Sequence, residues 1–275
     1  MGFPSGMSCS AESMAPPVLG LVGRPNILTH LGFLIVLSSL DDVHVLASVS
    51  GPIEVRLAAE ISTKATFEVS VRPLASIPGT DAKALGATIK SLLTPSLLLT
   101  RHPRTLIQLV VQPLSPSLMG SPKGVPSFHP TIAAASINAS SLAIMNASVT
   151  MTGVVCAVAV ARTTSGELIL NPGTDQLASS TASGCFAFIF TAAELPNDRL
   201  HASEVWSNWQ SSLGFDVAEM FGARELAQQG AGQIWELMKE SVRSVGERGS
   251  DDLEVKVETT VRPPEDGDDG DKMES

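Results

Sequence analysis

The chain contains no tyrosine, and aromatic residues make up only 4% of its 275 positions. An interior of aliphatic and β-branched side chains is therefore expected. Charged residues are also scarce, at 17% against 44% hydrophobic, so the chain can bury a sizeable core. Its three cysteines, Cys9, Cys156 and Cys185, are odd in number and far apart. They make neither a disulfide framework nor a CxxC metal site, and they fit a reducing compartment. No apolar run is long enough to span a membrane. The best candidate, Leu31–Leu40, has half of the roughly 20 residues a spanning helix needs. It reads as a buried strand. The alternative is a targeting segment, but the preceding 30 residues are rich in Pro and Ser and hold one basic residue, Arg24.

A cationic face is missing too. The net charge is −10, yet residues 249–275 alone hold ten acids and three bases. The remaining 248 residues carry only −3. Tight stand-alone binding of nucleic acid needs clustered Lys and Arg and is not indicated. The five histidines are scattered without metal-ligand spacing, and there is no Gly-rich phosphate loop and no GxSxG elbow. The composition points to no metal and no cofactor.

What is present is an alternation of strands and helices. Residues 1–18 are Ser/Pro/Met-rich and predict a disordered N-terminus. "VHVLASVSG" (43–51) and "ATFEVSVRP" (65–73) read as strands, ended by Gly51-Pro52 and by Pro73. Ala82, Leu85, Ile89 and Leu92/Leu93 recur at helical spacing, which predicts a helix from Thr80, its N-cap, to Leu93 before Pro95. "TLIQLVVQP" (105–113) is a third strand. Residues 114–130, rich in Ser, Pro and Gly, read as an exposed loop. Thr131–Ala147 is a helix of small residues, suited to lying close against a sheet. "GVVCAVAVART" (153–163) and "ELILN" form a hairpin about Ser165-Gly166, and "GCFAFIFTA" (184–192) is the last strong strand.

Residues 216–245 form a long helix with an Asp216/Glu219 capping box. Its apolar stripe holds Val217, Met220/Phe221, Ala227, Ala231, Ile234/Trp235, Met238 and Val242. Beyond it the acidic segment 249–275 predicts disorder. The class is α+β, with helices laid on one face of a mixed sheet. One domain is expected over 19–248.

Two sequons, Asn138-Ala-Ser and Asn146-Ala-Ser, fall in the small-residue helix, so burial rather than glycosylation is expected. "RHPRT" (101–105) places two arginines just before a strand, where they can bind phosphate or pair with a neighbouring acid. The stretch 166–184, "GELILNPGTDQLASSTASG", begins as a strand and opens into small polar residues. Strand ends commonly carry catalytic acids. This one holds a single acid, Asp175.

Five stretches in order, "GPIEV" (51–55), "ATFEVSVRP" (65–73), "HPRTLIQLVVQ" (102–112), "INASSLAIMNASVTM" (137–151) and "GELILNP" (166–172), resemble the RNase PH family. The resemblance covers about 43–245. Two segments depart from it: residues 24–42 do not resemble the family's N-terminal segment, and 114–130 is longer than expected. The motifs resemble those of the eukaryotic RNA exosome's core subunits. That resemblance implies a fold like domain 2 of ribosomal protein S5. It also implies a hetero-hexameric ring of RNase PH-like subunits, RNA-binding cap proteins above it, and RNA threaded through the central channel to a separate nuclease. The loop 114–130 would lie on a ring face, near a cap protein. The matching localisation is nucleus, nucleolus and cytoplasm.

Active relatives cleave RNA from the 3′ end by attack of inorganic phosphate. The chemistry needs acids after the strand and a cationic phosphate pocket. Where the family pattern places acids, this chain has Asn171, Gln176, Leu177 and Ser183; Asp175 is one residue off. Where the pattern places the phosphate-binding arginine, it has Ala133. Other basic positions fall on Thr80-Asp81 and Ala58, and 130–150 contains no Arg or Lys. Removing one such donor costs about 2.7–4 kcal/mol of transition-state stabilisation. The resemblance thus implies a member without catalytic residues, a structural ring subunit. Lys64, Arg72, Arg101 and Arg104 are its candidates for contact with RNA or a neighbouring subunit. The alternatives are an active phosphate-dependent exoribonuclease or tRNA-trimming nucleotidyltransferase of the same fold, and a binding module outside RNA metabolism.

Overall fold

The computed structural model describes residues 26–260 apart from 31–32, 41–42, 75–76, 115–128, 192–200, 213 and 215; at 26–30, 33–40, 201 and 244–260 it describes the backbone alone. The expected disordered N-terminus 1–18 and almost all of the loop 114–130 lie outside these residues.

The strands form two sheets rather than one. The first holds β1 (Asn26–His30), β2 (Phe33–Leu40), β3 (Val43–Glu54), β4 (Thr66–Val71) and β5 (Thr105–Pro113), in the order β1-β2-β3-β5-β4. It is mixed, because β4 runs parallel to β5 while the other neighbours are antiparallel. The second is antiparallel. It holds β6 (Val154–Arg162), β7 (Leu168–Leu170), β8 (Ala182–Thr191) and β9 (His201–Ser211), in the order β7-β6-β8-β9. The α+β class and the mixed sheet hold. Periodicity assigns strands, but it carries no information about which sheet each one joins.

Helix α1 (Thr80–Leu93) lies against β4. Helix α2 (Pro130–Asn146) lies between the two sheets, against β2 and β3 on one side and β6 and β8 on the other. It is buried from Pro130 to Ile144, which explains its many Ala and Ser residues: larger side chains would hold the sheets apart. The last helix, α4 (Val217–Thr260), covers the other face of the second sheet. Residues Val155–Val160 of β6 and Cys185–Phe188 of β8 are therefore buried on both faces, and they read as continuous apolar runs. In contrast, β5 alternates, with Ile107, Leu109 and Val111 at 0% exposure.

Several boundaries move. Gly51-Pro52 does not end β3; the strand continues to Glu54, with a register shift against β5 between Ser50 and Ile53. Proline supplies no ladder donor there, and the irregularity absorbs the loss. Gly51 has φ +143°, and a Cβ on it would meet the Leu106 carbonyl oxygen at 2.6 Å. The N-cap of α1 is Gly79, not Thr80. After "GCFAFIFTA" comes one more strand, β9, whose mixed Ser, Glu, Trp and Asn residues hide its period. A short helix, α3 (Thr174–Ala178), sits inside the stretch read as open polar chain.

The stripe of α4 is corrected at three places. Val217, Phe221 and Val242 are exposed, while Ala223, Ala227, Ala231, Ile234 and Met238 face the sheet. Its capping box does not form: Asp216 Oδ1 accepts from the Val217 N–H at 2.7 Å, the Glu219 N–H donates to the Asp216 carbonyl at 3.1 Å, and the Glu219 carboxylate is turned to Arg162. The helix also runs past the expected end, so 249–260 is helical where composition predicts disorder. No proline interrupts 249–260, and Pro263-Pro264 come only later; residues 261–275 lie outside the described chain.

β7 is short and pairs only with Val160–Arg162. Beyond it, side chains continue the ladder on the side of β6 away from β8. The Asn171 N–H donates to the Ala159 carbonyl at 2.8 Å, and the Ala159 N–H donates to Asn171 Oδ1 at 3.3 Å. Asn138 Nδ2 donates to the Ala157 carbonyl at 2.8 Å, and the Ala157 N–H donates to Asn138 Oδ1 at 2.7 Å. Ser141 Oγ donates to the Val155 carbonyl at 2.6 Å. Thus α2 and one turn residue satisfy backbone groups that a longer β7 would otherwise pair.

Candidate functional site

The structure places Ala133, Asn171, Gln176, Leu177 and Ser183 at one end of the second sheet. Ala133 is in the first turn of α2, 1% exposed, its N–H donating to the His129 carbonyl at 3.1 Å. Asn171 begins the turn after β7, with φ +47°, and is spent on the ladder bonds to Ala159. Thr131 Oγ1 donates to the Pro172 carbonyl at 3.2 Å, so the start of α2 is tied to that turn. Gln176 Oε1 accepts from the Gly173 N–H at 3.1 Å and closes the start of α3. Leu177 is half-buried on α3. Ser183 is half-buried in β8, opposite Ala161.

The topology therefore brings the positions together, and their side chains are two amides, a hydroxyl, an isobutyl and a methyl group. Asp175 is exposed on α3 and has no ion pair among the described residues. The cation at this end of the sheet, Arg162, is bound to Glu219 and donates to Thr181 Oγ1 at 3.0 Å. His129 sits at the N-cap of α2 with Nδ1 buried and without a hydrogen-bond partner. Burial lowers its pKa to about 4, so it is neutral at pH 7 and offers no charge to an anion. Sequence reasoning missed Arg162, His129 and α3, since each depends on contacts distant in the chain. Among the described residues no three of His, Cys, Asp and Glu come together to hold a metal ion. Cys156 and Cys185 are free and buried, with thiol pKa values raised by burial; Cys9 lies outside the described residues.

The His129 shift has a testable sign. The folded state disfavours the imidazolium, so the unfolded chain binds the extra proton more readily between pH 6.5 and about 4. Stability is expected to fall as pH falls through that window. Melting curves of the wild type and His129→Gln should converge at pH 7.5 and separate toward pH 4.5, with the variant less pH-sensitive. Parallel curves would show that His129 does not titrate this way.

The basic candidates divide. Lys64, Arg101 and Arg104 meet at one end of the first sheet, where the Ala65 N–H donates to the Leu99 carbonyl at 2.9 Å and the Arg104 N–H to the Ile61 carbonyl at 3.2 Å. Arg104, with φ +62°, pairs with Glu60 at 3.3 Å. Arg72 is at the opposite end of β4, its N–H on the Val111 carbonyl. Arg56, overlooked in the sequence, joins the first group, two residues after β3 ends. At the other aligned positions, Ala58, Thr80 and Asp81 are all exposed.

No helix among the described residues is long and apolar enough to cross a membrane. Residues 35–150 match the 3′ exoribonuclease family, domain 1. The chain is 31% identical over 197 residues to the exosome complex component RRP46 of Saccharomyces cerevisiae, which covers 69% of this chain and 80% of that protein. It is 32% identical over 114 residues to exosome complex component rrp46 of Schizosaccharomyces pombe, covering 42% of this chain and 46% of the relative. The crystal structure of rice (Oryza sativa) Rrp46 superposes with a TM-score of 0.65 at 19% identity, over 84% of this chain and 98% of that one, which speaks for the fold alone. The motif order points the same way within the family, to the subunit type called ribosomal RNA-processing protein 46. The chain belongs to the RNase PH family, and within it the similarity is to the Rrp46-type exosome components.

Proposed function

We propose that the chain is a non-catalytic, structural subunit of the RNA exosome ring. It supports 3′–5′ processing and degradation of RNA, including maturation of ribosomal RNA and turnover of messenger RNA, by scaffolding and channelling. Its partners in this reading are other RNase PH-like subunits in a hetero-hexameric ring, RNA-binding cap proteins, and RNA in the central channel. The setting is nucleus, nucleolus and cytoplasm. The functional unit is the RNase PH-like body 19–248, with residues 1–18 and the acidic tail as appendages. Lys64, Arg72, Arg101 and Arg104 are its candidates for contact with RNA or a neighbour.

One observation carries the reading: the positions that bear acids and an arginine in active relatives hold Asn171, Gln176, Leu177, Ser183 and Ala133. Asn171 and Gln176 are committed to backbone hydrogen bonds instead. A phosphorolytic step needs a proton donor for the leaving oxygen and a cation for the attacking phosphate. Arg162, the cation at this end, is bound to Glu219, and the carboxylate there, Asp175, is one residue off the family pattern.

The test supplies single-stranded RNA, Mg²⁺ and inorganic phosphate to the purified chain, alone and within a reconstituted ring. No nucleoside diphosphate release from the chain alone is expected, with stable entry into the ring. Asp175→Asn should leave both results unchanged. Phosphate-dependent release that vanishes in Asp175→Asn would establish the alternative, an active phosphate-dependent exoribonuclease.

A further inference from the structure

We infer that the face of the first sheet turned away from α1 and α2 is a docking surface for the chain's own segment 18–22, "VLGLV", laid across it as an intramolecular cover. The inference does not depend on the structural-subunit reading above.

The face comes first. Helices α1 and α2 lie on the same side of this sheet, the side of Val45, Ala47, Val49, Leu109 and Val111. A Cβ on Gly86 of α1 would stand 3.5 Å from Val71, whose β5 partner is Val111. No described helix packs on the other side. The register shows which positions stand there. Leu28 is opposite Ile35, Leu37 is opposite Leu46, and Ser48 lies between Ile35 and Val110. Residues directly opposed across strands are about 4.5–5.5 Å apart, so these positions make one apolar island over β1, β2, β3 and β5, with Ser48 at its centre. Leu46 and Val110 are half-buried in it. The sequence of β2 agrees. Its residues 33–37, "FLIVL", are apolar at five consecutive positions, the pattern of a strand covered on both faces, as β6 and β8 are. Apolar side chains gathered at one place on a surface mark an association site.

The occupant is supplied by the chain itself. The run 18–22 ends three residues before β1, the edge strand of this same sheet. Gly23 and Pro25 in the connection suit a reversal of direction. Residues 13–23 contain no charge. Five extended residues span about 16 Å, and the three strand spacings from β1 to β5 span about 14 Å, so the run matches the island in length. So short a tether sets an effective concentration on the order of millimolar, which favours this segment over a separate molecule. The connection 115–128 between β5 and α2 suits the face less well. It carries Lys123 and the prolines Pro116, Pro122 and Pro126, with no run of three apolar residues.

The test is limited proteolysis of the full chain with thermolysin, which cuts before large apolar residues, read by mass spectrometry. Two variants are compared with wild type: Ser48→Glu, which puts a charge in the island, and Leu21→Glu, which puts one in the run. Cutting before Leu19 should be about tenfold faster in each variant than in wild type, because it follows the population of undocked segment. Cutting before Phe3 should be equal in all three. Leu21→Glu alters no residue of either sheet and carries the test should Ser48→Glu not fold. Equal cutting before Leu19 in wild type and Leu21→Glu overturns the cover. Protection that appears only as the chain is concentrated, with elution as a dimer, overturns it in favour of a second copy. Protection that appears only within the reconstituted ring overturns it in favour of a neighbouring subunit. Release of nucleoside diphosphate tests the structural-subunit reading separately, so the two can fail independently.

Discussion

Replacing Asn138 by alanine should be among the most damaging single changes in this protein. Asn138 is 2% exposed and supplies both halves of a two-point bond to Ala157 in the middle of β6. Alanine removes donor and acceptor together, leaving a buried N–H and a buried C=O without their partner. Each orphaned group costs about 1–3 kcal/mol, so a loss of ~2–6 kcal/mol is expected. For a domain of this size that corresponds to a fall in melting temperature of roughly 5–20 °C. Ser141→Ala removes a single donor to the Val155 carbonyl and should cost about 1 kcal/mol. Thermal melts of the two variants side by side give the check. Equal, small shifts would mean that α2 does not substitute for a strand in this ladder.

Gly184→Ala should be comparably severe through a different cause. Gly184 lies in β8 opposite Trp209 of β9 and Val160 of β6. A Cβ there would stand 2.4 Å from the Asn208 carbonyl oxygen and 2.9 Å from the Trp209 Cα. Both are backbone atoms, so no rotamer change relieves the contact, and β9 must move away from β8. Overpacking of this kind costs about 1–3 kcal/mol or more. The same substitution at Gly232, where nothing lies within 4 Å, should be neutral or slightly stabilising because alanine favours the helix. Urea unfolding of both variants separates the two. A Gly184→Ala midpoint equal to that of wild type would show that the strands are not in close contact there.

Much of the chain was legible from residue pattern alone, and for a clear reason. Strands β3 and β5 alternate because one face is buried, and β6 and β8 are continuously apolar because both faces are. The bounds of α1 were readable from its spacing of Ala82, Ile89 and Leu92. The hairpin between β6 and β7 was marked by Gly166, which takes φ +90°. β9 and α3 were not legible, since β9 has a mixed polar composition and α3 is a single turn. The exposed Val217 and Phe221 continued a helical stripe in sequence whose sheet does not extend beneath them.

The candidate site divides in the same way. Which residues align with the acids and the arginine of the family pattern is read from the sequence alone, as Ala133, Asn171, Gln176, Leu177 and Ser183. What those residues do instead was decided only by tertiary structure. Asn171 is committed to Ala159, Arg162 to Glu219, and His129 is neutral, because α2, the 171–173 turn and α4 converge on one sheet end. The grouping of Lys64, Arg101 and Arg104 with Arg56, and the separation of Arg72, likewise follow from β4 running parallel to β5. Hydrogen bonds and ion pairs between segments 19 to 57 residues apart leave no periodic trace in a chain, whereas burial does.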